Sequence, residues 1–460
     1  MTTDYGLRTT DHGLLTTDFP ASVSVMKTRA SISLAIILAF ILPGMSKVAA
    51  RQEAHPQEDL RKQIGTIIVT PGNGPNLAIA DFIARSAGLE AAASTFNQVL
   101  WADLDFAAVS GLVGKSLYPK TLVPDPASLK FDDWSADPVK ADYLAFGNLQ
   151  NTGGAISADT YLYDVKTKQQ LIASRHTGDP RRIAHEFADE AVKLLTGRDG
   201  IATSKIGYVS GDSIKVMDYD GFNQRNFASD GPIVRFPQFS PDGRYLAYVS
   251  YKTGVPNIVV RSAEGGLIGG TSFNSTTTSP TISSSGQLAF SSAIGGDGSM
   301  EIYVSNLDGS SARRLTRTPK GINISPRWNP QTGREIAFIS DRAGTPQVYV
   351  MESSGANQRP LIARGGQADS PSWSPDGRYV AFTYGGAGSF QVFVADVASG
   401  QLVQLTSQGR NESPTWSPDS RHISFQSNRS GRWEVWQAHI DGSGQRALTR
   451  GGGRSPTWAK

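Results

Sequence analysis

The sequence predicts a small α/β domain followed by an all-β six-bladed propeller of four-stranded blades, its ring closed by the C-terminal strand. Three observations carry this: a recurring Pro-x-(Trp or apolar) tripeptide, a turn grammar that follows it, and a composition rich in Gly and Pro. The tripeptide ends at Phe239, Ile282, Trp328, Trp373, Trp416 and Trp458, with spacings of 43, 46, 45, 43 and 42 residues. A period in that range, with strand-like content and no helical periodicity between markers, fits one propeller blade per repeat.

The grammar is clearest from Ser372 to Phe382. Pro375 presets the backbone of a turn, Asp376 can bond its own backbone and Gly377 accepts a positive φ, so two strands are joined by a hairpin. Ser240-Pro241-Asp242-Gly243-Arg244 and Ser417-Pro418-Asp419-Ser420-Arg421 repeat it. Apolar second strands follow at Tyr245 to Val249, Ile336 to Ile339, Tyr379 to Phe382 and Ile423 to Phe425, and third strands at Gln347 to Met351 and Glu434 to Ala438. A weaker fourth strand ends in Leu315-Thr316, Leu405-Thr406 or Leu448-Thr449. Ser283-Ser284-Ser285-Gly286 and the longer Asn329-Pro330-Gln331-Thr332-Gly333 depart from the pattern but keep Gly, which predicts altered turns rather than lost blades. The sixth marker, Ser455-Pro456-Thr457-Trp458, lies at the end of the chain, so that last repeat is expected to have only its first strand. Ile206 to Ser210, Ile214 to Tyr219 and Gln224 to Ala228 are expected to complete that blade and remove exposed strand edges. The four marker tryptophans are expected to pack between blades, since an aromatic buries so much area.

The front of the chain reads differently. Ile64 to Thr70 reads as a strand, Leu77 to Ala87 and Thr95 to Leu104 as helices, and Tyr143 to Leu149, Ala158 to Val165 and Gln169 to Arg175 as strands. Asp179 as N-cap, Pro180 at the first helical position, Ile183, Phe187, Ala191 and Leu194 on one face and Gly197 at the end describe a final helix. Pro71-Gly72-Asn73-Gly74-Pro75 lacks the spacing of a phosphate loop and reads as a plain loop. Met26 to Arg29, the apolar run Ser31 to Leu42 and Val48-Ala49-Ala50 form a secretory signal, expected to be cleaved near Ala50. The apolar run is short for a membrane span, so no span is expected in the mature form. The Thr-Thr-Asp repeats at Thr2, Thr9 and Thr16 show no pattern able to bury a core, and translation is expected to start at Met26, the alternative being an unusually long n-region of the signal from Met1. The expected organisation is an unstructured extension over 1–25, a signal over 26–50, the α/β domain over 51–200 and the propeller over 201–460.

Composition excludes several functions. A net charge of +3, from 44 basic and 41 acidic residues, is too balanced for a nucleic-acid footprint, so no nucleic acid is expected as a partner. With no Cys, neither disulfide nor thiolate metal site is possible. No Gly-x-Ser-x-Gly occurs, and no segment outside the repeats is large enough for an attached peptidase. A channel hydrolase would need converging His, Asp or Glu, yet His422 and His439 are the sole propeller histidines and read as ordinary strand or surface residues. Asp242, Asp376 and Asp419 read as turn residues that bond their own backbone. No catalytic residue, metal or cofactor is expected. An exported propeller hydrolase and a carbohydrate- or peptidoglycan-fragment-binding protein are the alternatives to a protein-binding scaffold.

For binding, the informative positions lie two residues before each marker Pro, at one rim of the channel: Arg235, Thr278, Ile324, Asp369, Glu412 and Arg454. Arg235 and Arg454 belong to neighbouring blades, with Asp369 and Glu412 expected roughly opposite. Such a polarised rim would orient a partner segment; solvated charges on connecting loops are the alternative.

Ala188-Asp189-Glu190, Leu195-Thr196-Gly197, Ile206-Gly207-Tyr208-Val209 and especially Asp218-Tyr219-Asp220-Gly221-Phe222-Asn223-Gln224, followed by these repeats, resemble the TolB family, periplasmic components of the Tol-Pal system of Gram-negative bacteria. The resemblance covers nearly all of the expected mature chain. It implies a monomeric, non-enzymatic periplasmic protein that helps keep the outer membrane attached and constricting during division. It further implies that the peptidoglycan-associated lipoprotein Pal docks at the mouth of the channel. The N-terminal segment from Arg51, Gln52 and Glu53 to Asp59 would engage the inner-membrane-anchored protein TolA.

Overall fold

A computed structural model describes residues 74–362, 365–386 and 388–460, which belong to one compact unit. The expected extension, signal, Arg51 to Asp59 segment, strand Ile64 to Thr70 and the start of the loop at Pro71 lie outside the described residues.

The first part is a mixed sheet with two long helices on one face and a short helix on the other. Its elements are β1 (Asn76–Ile79), β2 (Ile83–Ala84), α1 (Glu90–Ala107), β3 (Gly111–Leu112), α2 (Phe131–Ser135), β4 (Tyr143–Thr152), β5 (Ala155–Asp164), β6 (Gln170–Thr177) and α3 (Pro180–Thr196). The strand order is β3-β1-β4-β5-β6, with β2 also pairing to β4. β1 runs parallel to β3 and β4, while β4-β5-β6 is an antiparallel meander.

The expected helix over Leu77 to Ala87 is instead β1 and β2. Its unbroken apolar run belongs to a strand covered on both faces. Leu77 and Ile79 pack with α1 and α3, whereas Ala78 and Ala80 pack on the other side with Trp134, Leu144 and Phe146. α3 begins as expected: the Asp179 carboxylate accepts from the Arg181 and Arg182 amides, and Gly197 closes the helix in the left-handed region at φ 71°. Ile183, Phe187 and Ala191 are buried, but Leu194 is 46% exposed, because the last turn of α3 reaches the edge strand β6 instead of the sheet's covered face.

From β7 (Lys205–Ser210), β8 (Ser213–Asp218) and β9 (Arg225–Ala228) onward the chain forms six four-stranded sheets. Five are consecutive meanders; the sixth has the order C-terminal strand Arg454–Ala459, β7, β8, β9, so the ring closes as expected. Both departing blades are kept, but only one turn is altered: Gly286 donates three residues back to Ser283, as Gly243 and Gly377 do to Ser240 and Ser374, whereas Gly333 donates four back to Asn329. Trp328, Trp373 and Trp416 each pack between their own blade and the preceding one. Trp458 joins a core that runs from α1 and α3 through Ile206, Tyr208 and Tyr219 of the closing blade.

All six inner strands share one irregularity. The residue before each marker Pro sits at positive φ: Phe236, Ser279, Ser325, Ser370, Ser413 and Ser455, between 48° and 56°. At the same place the register with the second strand slips. This bulge accommodates a proline, which cannot donate to a ladder. The freed amides of Ser325, Ser413 and Ser455 are taken up by Ser291 Oγ, Thr383 Oγ1 and Gln426 Oε1 of the preceding blade, at 3.1, 3.0 and 2.8 Å. A defect in one sheet thus becomes a link to the next.

Candidate partner-binding site

The bulge fixes where the six rim positions stand. Arg235, Thr278, Ile324, Asp369, Glu412 and Arg454 each immediately precede the positive-φ residue on an innermost strand. They therefore lie on the first strand of each blade near the end where it begins, not on the connecting loops. All are half-buried except Arg454, which is exposed. Chain order around six blades puts Asp369 across the ring from Arg235. Glu412, expected opposite the arginines, instead neighbours Arg454, whose guanidinium feels its charge.

The acidic side of the mouth is internally organised. Glu412 pairs with Arg410 and accepts from Gln426 Nε2 at 2.9 Å, and the same Gln426 amide accepts from Ser455 of the next blade. Arg410 lies over the Phe390 ring at 4.9 Å. Asp369 accepts from the Ser370 amide at 2.6 Å. Burial among the channel walls pushes its carboxyl up to about 6; the Ser370 hydrogen bond opposes this and the Glu412 charge adds to it. The sequence reading missed Arg327, which lies close enough to Asp369 to feel its charge and whose burial lowers its guanidinium to about 10. The signal was available: the middle residues of the marker tripeptides are Gln238, Thr281, Arg327, Ser372, Thr415 and Thr457, and Arg327 alone is charged.

The opposite end of the ring carries the α/β domain. His422 starts the second strand of blade five and His439 ends its third, and they are cross-strand partners. Their Nε2 atoms both lie 3.0 Å from the Phe106 carbonyl oxygen at the end of α1. The Phe106 ring packs against both imidazoles at 4.8 and 5.0 Å and under the Arg446 guanidinium at 3.9 Å. Arg421 donates to the Ala108 carbonyl at 3.1 Å. The expectation that these histidines are ordinary strand or surface residues is therefore corrected, since chain distance hid their contact with α1. Asp242 and Asp376 act as turn residues, each accepting from a serine hydroxyl and a backbone amide. Asp419 does so too but also pairs with His422 Nδ1 at 3.0 Å, which corrects its reading as a turn residue alone.

A second polar group lies beside this contact. Asp103 of α1, 4% exposed, accepts from Tyr219 at 2.5 Å and is bonded to His185 Nδ1 at 2.7 Å. Burial raises the Asp103 carboxyl; it opposes the His185 proton, but the Asp103 hydrogen bond and charge win and raise that imidazole as well. Among the described residues, His185, Asp218 and Asp220 approach closely enough to hold a cation. Both carboxylates are already engaged, Asp218 by Lys205 and Asn223 and Asp220 by Arg181, so the arrangement neutralises itself. Among the described residues no helix is long and apolar enough to cross a membrane.

With this geometry in hand, comparison with known proteins is direct. The TolB beta propeller domain model matches residues 192–460, and the TolB amino-terminal domain model matches residues 66–171. "Protein TolB homolog" of Chlorobium luteolum is 29% identical over 267 residues, 55% of this chain and 60% of that protein. "Tol-Pal system protein TolB" of Bordetella pertussis is 35% identical over 228 residues, 47% of this chain and 51% of that protein. The aligned part thus spans about half to three-fifths of the length of these curated relatives. The crystal structure of TolB from Acinetobacter baumannii shares the fold with a TM-score of 0.71 at 24% identity, covering 85% of this chain and 97% of that one. Because the propeller match alone takes in more than half of the sequence, the chain belongs to the TolB family.

Proposed function

We propose that this chain is a non-enzymatic, periplasmic protein-binding component of a Tol-Pal system, acting as a monomer without cofactor. In this reading Pal docks at the channel mouth, the segment from Arg51 to Asp59 engages TolA, and the protein helps hold the outer membrane in place and constrict it at division. Export with cleavage near Ala50 and a domain boundary near residue 200 belong to the same proposal.

The observation that carries it is the orientation of the ring within a TolB-family chain. The α/β domain contacts the ring through Arg421, His422, His439 and Lys460, all at the end where the inner strands finish. The charged mouth lies at the end where those strands begin, away from these contacts. A mouth in which Asp369 stands across from Arg235 while Glu412 neighbours Arg454 carries an uneven charge pattern that favours one docking register, since complementary charge selects orientation more than it adds affinity.

The test is a pull-down with the chain from Arg51 to Lys460 against detergent-extracted outer-membrane proteins of its own source, followed by titration of the captured Pal. Asp369→Lys with Glu412→Lys is expected to weaken that binding by about tenfold or more while the ring stays folded. Unchanged affinity would remove the mouth as the docking site. Failure to capture any lipoprotein with a peptidoglycan-binding domain would remove the Pal assignment itself.

A further inference from the structure

Arg235 and Arg454 hold equivalent places on inner strands that adjoin where the ring closes. Arg235 belongs to the strand Val234–Phe239 and Arg454 to Arg454–Ala459, and the Phe239 amide ties the two strands together by donating to Thr457 Oγ1 at 3.0 Å. The two guanidiniums are near enough to repel: burial lowers that of Arg454, the Glu412 charge opposes this and the Arg235 charge adds to it. Among the described residues neither forms an ion pair. Arg235 Nη1 donates only to backbone carbonyls, of Val234 at 2.7 Å and of Gly211 in the closing blade at 3.5 Å. Among the described residues the Arg454 side chain makes no hydrogen bond, and it lies 5.3 Å from the centre of the Trp433 ring. Glu412 is engaged by Arg410 and Gln426, and Asp230 by Arg261 and Tyr248, while the exposed Asp212 pairs with neither arginine.

The bulge adds a neutral donor beside this pair. In three blades the freed amide is taken by the second-strand residue that faces the preceding blade's rim position: Ser291 opposite Thr278, Thr383 opposite Asp369 and Gln426 opposite Glu412. For the Phe236 amide the corresponding residue is Val209, opposite Arg454, whose side chain has no acceptor. The Tyr251 hydroxyl is also close enough to feel the Arg235 charge. We propose that Arg235, Arg454 and the Phe236 amide form an anion site that receives an Asp or Glu side chain of the partner segment, an inference that rests on reading this end of the ring as the docking face for Pal. A guanidinium presents a planar fork of N–H donors that matches a carboxylate, and forks from adjoining strands converge on one such group. Backbone carbonyls and an indole ring hold the two side chains without neutralising them. Their charge therefore stays available, and an entering carboxylate relieves the repulsion between them.

Calorimetric titration with the captured Pal tests the site. Arg235→Gln with Arg454→Gln is expected to weaken binding on the order of tenfold or more, the scale of a lost charged hydrogen bond, and to flatten its dependence on NaCl. The Asp and Glu residues of Pal are then replaced one at a time by Asn or Gln. One replacement should weaken binding to the unaltered chain by a similar factor and have no further effect on the double variant, because both changes remove the same contact. Equal affinity of the unaltered chain and the folded double variant would overturn the anion site while leaving the docking face in place. Absence of any binding between Pal and the unaltered chain would instead remove the docking reading, and this site with it. If the double variant does not fold, the Pal series against the unaltered chain decides. One acid whose replacement both weakens binding and flattens the salt dependence supports the site, and a series without such an acid overturns it.

Discussion

Asp419, buried, and Asp369, half-buried, are two carboxylates with opposite fates, and each has a measurable consequence. Asp419 is held low by His422, so it contributes stability that is present above about pH 4 and lost as pH falls toward about 2. The contribution is about 2 kcal/mol, and Asp419→Asn should lower thermal stability at neutral pH by that order, with the gap to the unaltered protein narrowing on acidification. Asp369 is held high by desolvation, so stability is lost as pH rises from about 4, where the unfolded carboxyl ionises, to about 6, above which the loss is complete. Asp369→Asn should raise unfolding stability at neutral pH by roughly 1–2 kcal/mol and leave it unchanged near pH 4, as measured in urea. The same titration implies that the mouth becomes fully acidic only above about pH 6. The two roles were unequally legible in the sequence. The Ser-Pro-Asp grammar placed Asp419 in a turn, but its pairing depends on His422 being pressed against a helix more than three hundred residues away in the chain.

At the scale of elements, the repeated bulge explains several features together. It lets a proline sit in an innermost strand and releases an amide that the neighbouring blade captures. Thr383→Val removes one such acceptor without changing shape and should cost on the order of 1 kcal/mol in denaturant unfolding. Ser370→Val places a β-branched side chain at φ 51° and should cost about 1–2 kcal/mol, whereas Ser370→Gly should be close to neutral. The sequence showed the period and the proline, but nothing in residue identity announced a left-handed backbone at Phe236 or at five serines. Local pattern also misread β1 and β2. An apolar run with no period is ambiguous between a helix and a doubly covered strand, and the two-sided packing of Leu77 to Ala80 resolves it only in the assembled sheet.

The whole molecule is a ring held shut by its last strand and gripped on one end by a second part. The strand Arg454–Ala459 pairs with β7, and the Trp458 indole donates to Ser204 Oγ at 2.7 Å. Deleting residues 454–460 should therefore abolish a single cooperative unfolding transition and expose β7 as an edge, detectable by calorimetry and as aggregation on size exclusion. Because the grip is at the far end from the mouth, charge changes at Asp369 and Glu412 should leave exchange at the last turn of α1 unaltered while changing partner affinity. That separation distinguishes a docking defect from a folding defect.

By itself the sequence determined the number of blades, the turn at each hairpin, the borrowed strands of the closing blade, the capped helix α3 and the family resemblance. These are local or periodic properties: proline, glycine and aspartate bias the backbone within a few residues, and repetition multiplies a weak signal sixfold. Only the tertiary structure decided that Arg327 lies close enough to Asp369 to feel its charge, that Glu412 neighbours Arg454 instead of facing it, and that two plain-looking histidines converge on one carbonyl of α1. Those facts depend on contacts between elements far apart in the chain, where burial and neighbouring charge set what a side chain does, and no local pattern encodes them.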